Sequence, residues 1–340
     1  MNPFSLEAVL PDIATESVRL PRRQTGGSPQ DTAVTLLADY TLRTRGWLPS
    51  AAIVELLGEA GVSTGNARTA ISRLAHRGVL ESRQHGRRTA YRLTTAAATA
   101  LSIGGRALAG FTTQAESWDG QWTVVAFSLP HGSDAQRRAL RGRLRWLGFT
   151  ILYDGLWVSP QELPDRKATE LADITGGAIT VFRARHVEFG SIATRDPLAA
   201  WDLAAIAGEY QAYVEQWEAL LPRVRAGDVV GPEAVRTRTE VMDAYRQFVV
   251  LDPRLPQRLM PPGWPRERAR EVFVAVYDGL AGAALTHVTE AVARRGGTMT
   301  PDVATHSVAD LLDGPQVVPE GSASTSSMVS RKSPVAGAGA

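Results

Sequence analysis

The segment from Pro49 to Leu93 constrains this chain most. It reads as a helix, a glycine turn, a second helix and a charged hairpin. Ile53, Leu56, Leu57 and Ala60 recur at helical spacing and predict one apolar face. Gly61 supplies the left-handed residue that ends such a helix. Val62 is placed to plug the space between the two helices, and Ser63 to cap the second. In that second helix Ala67, Ala70, Ile71 and Leu74 share one face. Gly65, Arg68, Thr69, Ser72, Arg73 and His76 fall on the other. Gly78 closes the helix, and Val79 to Arg83 with Thr89 to Leu93 predict a hairpin turning near Gly86. The pattern is a helix-turn-helix followed by a wing.

Charge gives the segment a purpose. Ser63 to Leu93 holds seven arginines and a single acid, Glu81, whereas the whole chain has a net charge of only +2. A basic element on a near-neutral protein points to a polyanion, most simply duplex DNA. Thr64, Asn66, Arg68, Thr69, Ser72, Arg73 and Arg77 are the candidate contacts on the second helix. Hydroxyls and arginines there suit phosphates and guanine edges. Arg83, Arg87 and Arg88 are the candidates on the wing, where backbone phosphate or a minor groove would lie. The same architecture also serves scaffolds that bind protein or RNA, and that alternative stays open here.

The rest of the 340 residues divides by rhythm. Residues 1–29 read as a disordered arm, 30–112 as the DNA-binding domain, 118–190 as a middle domain, 196–313 as a helical C-terminal domain and 314–340 as a disordered tail. Asp31 to Arg43 precedes the helix pair as a first helix, and Thr94 to Ala109 follows the wing, with a bend expected at Gly104 and Gly105. In the middle domain, strands at Trp122 to Pro130, in FTILY, in GLWVSP and in AITVFRARHV alternate with helices at Asp134 to Leu147 and Pro164 to Ile174. That order is βαββαβ, a ferredoxin-like arrangement. Helices are expected at Pro197 to Leu220, Glu233 to Val250, Arg266 to Leu280 and Ala281 to Arg295, with a proline-rich turn pinned by Trp264. The fold class is therefore α+β.

Six segments in order resemble the PaaX family, the repressors of bacterial phenylacetic acid degradation operons. They are STGNARTAISRLAHRGVLES (63–82), GRRTAYRLT (86–94), WTVVAFSLP (122–130), RLRWLGFTILYDGLWVSP (143–160), WDLAAIAGEYQAYVEQW (201–217) and YRQFVVLDPRLPQRLMPPGWP (245–265). The resemblance implies a winged helix, a ferredoxin-like middle domain, a homodimer on double-stranded operator DNA, and release by an aryl-CoA thioester such as phenylacetyl-CoA. Such an effector needs cations for its phosphates and apolar walls for its acyl end. Arg137, Arg138, Arg141, Arg143 and Arg246 are candidate cations, and Trp146, Trp157, Trp201 and Phe248 candidate walls.

Enzymatic function finds no support in the residues. The GxxxxGKS/T, GxSxG and HExxH patterns are absent, and no two of the six histidines have metal-ligand spacing. The fold of the middle domain also occurs in small CRISPR-associated nucleases, where an acid ends the first strand. Here that strand runs into Ser128-Leu129-Pro130. No catalytic residue, metal or cofactor is expected. With no cysteine the chain has neither disulfides nor thiolate ligands, which suits a reducing cytoplasm.

Overall fold

The computed structural model describes residues 28–85, 88–111, 118–187, 195–297 and 300–314. The predicted arm up to residue 27, Arg87, and the predicted tail from residue 315 lie outside these.

The first helix, α1 (Pro29–Thr41), starts at a reciprocal cap. Ser28 Oγ accepts from the Asp31 N–H at 3.2 Å, and the Asp31 carboxylate accepts from the Ser28 N–H at 3.3 Å. Ala33, Leu36, Leu37 and Tyr40 are at most 1 % exposed, and Asp31, Thr35 and Asp39 are buried too. A helix buried on polar and apolar faces alike must be enclosed on more than one side. Next come α2 (Ser50–Glu59) and α3 (Thr64–His76). Gly61 and Gly78 take the left-handed φ that the sequence requires of them.

Three strands follow the pattern with one addition. β2 (Leu80–His85) and β3 (Arg88–Leu93) form the hairpin, and β1 (Leu48–Pro49) adds Leu48 and Pro49 opposite Tyr91 and Ala90. Pro49 is therefore an edge-strand residue and the N-cap of α2, one position earlier than a first-turn proline. α4 (Thr95–Gly110) runs unbroken through Gly104 and Gly105, where a bend was expected. The physical role of Gly105 is clearance: a Cβ there would lie 2.8 Å from Leu311 Cδ2.

The middle unit runs β4 (Trp122–Phe127), α5 (Asp134–Trp146), β5 (Thr150–Tyr153), β6 (Leu156–Ser159), α6 (Asp165–Thr175) and β7 (Ile179–Ala184). Its sheet order is β5-β6-β4-β7 and all pairs are antiparallel. Val125, Leu140, Leu144, Phe149, Trp157 and Leu171 form a core of its own.

The C-terminal helices are α7 (Leu203–Glu218), α8 (Leu221–Ala226), α9 (Gly231–Tyr245), α10 (Phe248–Leu251), α11 (Arg266–Gly279), α12 (Ala281–Gly296) and α13 (Val308–Asp313). The helix expected over Glu233 to Val250 breaks after Tyr245, and α13 was not anticipated. One apolar cluster runs from α1 to α4 and on through α7 to α13. Segments 30–112 and 196–313 thus share a single core. The chain is α+β.

Candidate nucleic-acid interface

α3 is held by burial from behind and by a cap at its start. Ala67, Ala70, Ile71 and Leu74 are at most 2 % exposed, and Ser63 Oγ accepts from the Asn66 N–H at 3.4 Å. That anchoring turns Thr64, Asn66, Arg68, Thr69, Ser72, Arg73 and Arg77 to the surface, where all seven are exposed. Thr69 Oγ1 donates back to the Gly65 carbonyl at 2.9 Å, a bond it can exchange for a phosphate oxygen. Among the described residues, Arg68, Arg73 and Arg77 have no ion-pair partner. Three uncompensated guanidiniums spread over the exposed side and C-terminal end of α3 make its surface cationic, at the right scale for a groove.

The wing is braced. His85 lies opposite Arg88 as the outermost pair of the described hairpin. The Arg83 and Arg92 guanidiniums sit over the Trp47 ring, 4.4 and 4.5 Å from its centroid. Glu81 accepts from Arg92 at 2.6 Å and from Arg45 at 3.1 Å. Arg83 remains exposed on this platform. Arg88 reaches back instead, its guanidinium packing beside Gly297 just past the end of α12. A cation there is favoured by the partial negative charge of the helix end. The expected wing-tip contact of Arg88 therefore competes with an internal one. The role of Trp47 is not legible in the sequence, because it depends on the sheet bringing both hairpin strands beside β1.

The helix-turn-helix rests on the C-terminal helices. Glu55 on α2 accepts from Arg294 at 3.0 Å and Arg295 at 2.5 Å, and His287 Nε2 lies 2.9 Å from Glu59. Burial pushes the Glu55 carboxyl up, but the two arginines outweigh it and hold it below its ordinary range. On α1, Thr35 donates to Asp243 at 2.9 Å and Tyr277 donates to Asp39 at 2.6 Å.

Eight of the nine residues expected to line an effector pocket are placed by the described structure. Arg137 caps the carbonyls of Leu129 and Pro130, and Arg138 is exposed. Arg141 lies 3.9 Å from Asp154, while Arg143 is buried and held by Glu170 at 2.5 Å. Trp157 is 1 % exposed within the middle core, and Phe248 is fully buried and stacked on Tyr210 with centroids 3.9 Å apart. Both side chains belong to the hydrophobic cores. Trp201 stacks on Trp122 at 6.1 Å. Arg246 pairs with Asp243 at 3.0 Å and donates to Thr35 at 3.1 Å, tying the C-terminal helices to α1. The Trp146 side chain lies outside what the structure describes. Among the described residues no three of His, Asp and Glu gather as a metal set. No single described helix is long and apolar enough to cross a membrane.

Comparison with known proteins agrees with this layout. Family models described as PaaX-like protein, PaaX protein central Cas2-like domain and PaaX-like protein C-terminal domain match residues 28–97, 115–194 and 201–290. The transcriptional repressor PaaX of Escherichia coli (strain K12) is 30 % identical over 251 residues, covering 72 % of this chain and 77 % of that protein. The chain belongs to the PaaX family. A similar fold occurs in the solved structure of the uncharacterized protein Rv0674 from Mycobacterium tuberculosis. It has a TM-score of 0.52 at 19 % identity, covers 76 % of this chain and 98 % of that one, and speaks for the fold alone. Membership in PaaX makes the chain a regulator rather than an enzyme.

Proposed function

We propose that this PaaX-family chain is a DNA-binding transcriptional repressor. The observation that carries the reading is the exposed face of α3, with Arg68, Arg73 and Arg77 uncompensated among the described residues. We read α2, α3 and the three-stranded sheet as a winged helix, with α3 entering the major groove. The middle unit is read as a ferredoxin-like domain, its strand order β5-β6-β4-β7 supporting that assignment. Phe182, 53 % exposed on β7, supports a face free for a second copy, and hence a homodimer reading a partly symmetric operator in the cytoplasm. The regulated genes are proposed to serve aromatic-acid breakdown, with release by an aryl-CoA thioester.

The test begins with a reporter driven by the promoter beside the gene. Repression by the protein, relieved in cells fed an aromatic acid such as phenylacetate, is the expected result. A purified protein–promoter complex titrated with phenylacetyl-CoA and other acyl-CoA esters then identifies the effector. A reporter insensitive to the protein rules the reading out.

A further inference from the structure

The strands β1, β2 and β3 alternate in what they present. Leu48, Leu80 and Leu93 are buried in the shared core. Between them, Glu81 and Arg83 on β2 and Ala90 and Arg92 on β3 share the opposite face, because Arg83 lies across from Ala90 and Glu81 across from Arg92. Trp47 directly precedes β1, whose Leu48 and Pro49 lie across from Tyr91 and Ala90. That register carries the half-buried indole onto the same face. The Arg83 and Arg92 guanidiniums stand over its ring, 4.4 and 4.5 Å from the centroid.

Three cations meet one carboxylate here. Glu81 accepts from Arg92 at 2.6 Å and from the buried Arg45 at 3.1 Å. Both of those arginines are thereby committed inside the fold. Arg83 is exposed and has no ion-pair partner among the described residues. Two guanidiniums over one ring repel each other, and Glu81 offsets only Arg92. An anion beside Arg83 is the missing complement.

The ring makes Arg83 a better anion ligand than a loose surface arginine. A guanidinium over an aromatic ring can keep its N–H fork for a phosphate. A loose arginine loses rotamer freedom when it binds, and one already resting on a ring loses less. Arg88, nearer the tip, packs beside Gly297 instead.

We propose that Trp47 is a positioning residue for DNA binding, holding Arg83 out as the wing's contact to a backbone phosphate. This assignment rests on the repressor reading. It places the wing's phosphate contact on the flank of the hairpin, on a side chain ordered before DNA arrives.

The test measures binding of the full chain to promoter and scrambled duplexes across a salt series. Arg83→Ala should weaken both by at least about tenfold, the worth of one hydrogen bond to a charged group, and lower the magnitude of the salt slope by about one. Trp47→Leu keeps an apolar side chain but no ring. It should weaken both duplexes about 2- to 10-fold, the span that ordering one long side chain covers. Trp47→Phe keeps a ring face and should stay within about twofold of wild type. The decisive arm is Trp47→Leu placed on Arg83→Ala, where it should change nothing further. A purely structural Trp47 would give the same loss in either background, and that result overturns the assignment. So does an unchanged salt slope in Arg83→Ala, a surface variant that leaves the core intact, or wild-type binding by Trp47→Leu. Arg68→Ala separates the two levels. If it weakens promoter binding while the Trp47 and Arg83 variants do not, the repressor reading stands and this proposal falls. A wild-type chain that binds neither duplex overturns both.

Discussion

Arg68 sits in the first half of α3, exposed, on the flank of the side that Ile71 and Leu74 bury. In the docking proposed above, that position puts a guanidinium where base edges lie in a major groove. Arg68→Ala should cost about 1–3 kcal/mol on promoter DNA and relax preference at one base pair, measured with a set of singly substituted duplexes. Equal binding by the variant to all of them, at wild-type strength, removes Arg68 from base recognition. A second residue tests the fold instead. A Cβ on Gly46 would collide with the Asp302 carbonyl, which is itself held by the Thr44 hydroxyl at 2.9 Å. Backbone cannot yield as a side-chain tip does, so Gly46→Ala should cost about 1–3 kcal/mol. A melting temperature equal to wild type contradicts the close approach. The α3 face was legible in the sequence because a 3.6-residue period separates it from its buried side. The partners of Arg143 and Arg88 were not, since Glu170 and Gly297 are brought close only by the tertiary fold.

At the scale of elements, a buried polar cluster ties α1, α9, α11 and the segment before α13 together. Arg238 is fully buried, stacks over Tyr277 at 3.6 Å from the ring centroid, and donates to the carbonyls of Tyr277 and His306. Tyr277 Oη lies 2.9 Å from His306 Nε2. Burial, reinforced by the Arg238 charge, lowers the His306 ring to about 3. The unfolded chain binds a proton there below about 6.5, so the folded state holds fewer protons between these values. The stabilisation from His306 is therefore complete above about 6.5 and lost as pH falls towards 3. Asp39 runs the other way: burial raises its carboxyl to about 6, so its stabilisation is complete below the ordinary carboxylate range and lost as pH rises through 6. His306→Asn should thus be more destabilising at pH 7 than at pH 4, read from urea unfolding at both. A penalty that is constant, or larger at pH 4, contradicts the neutral buried ring. Among these elements α13 carried a readable signal, Ser307 with Asp310 three residues on, which forms a reciprocal cap. β1 carried none, because two residues have no period.

For the whole molecule, the shared core is the feature with most consequence. Phe273 is fully buried and stacks on Tyr245 with centroids 4.0 Å apart, far from α3 in sequence yet in the same apolar cluster. Phe273→Ala should cost about 3–5 kcal/mol. Amide exchange should quicken at Ile71 and Leu74 as it does at Val276, while the middle unit, with its own core, keeps its protection. Faster exchange confined to the C-terminal helices contradicts one shared core. The sequence showed which faces are apolar but not which neighbour each meets, so units 30–112 and 196–313 read as separate. The effector residues were illegible for the same reason: arginines and tryptophans serve cores, caps and ligands alike. The measurement that bears most directly on the account is binding of the full chain to its own promoter duplex and to a scrambled duplex of equal length, across a salt series. The account predicts promoter binding tighter by at least about 10³-fold at physiological salt, with both affinities falling as salt rises. Equal affinity for the two duplexes, or binding indifferent to salt, would contradict it.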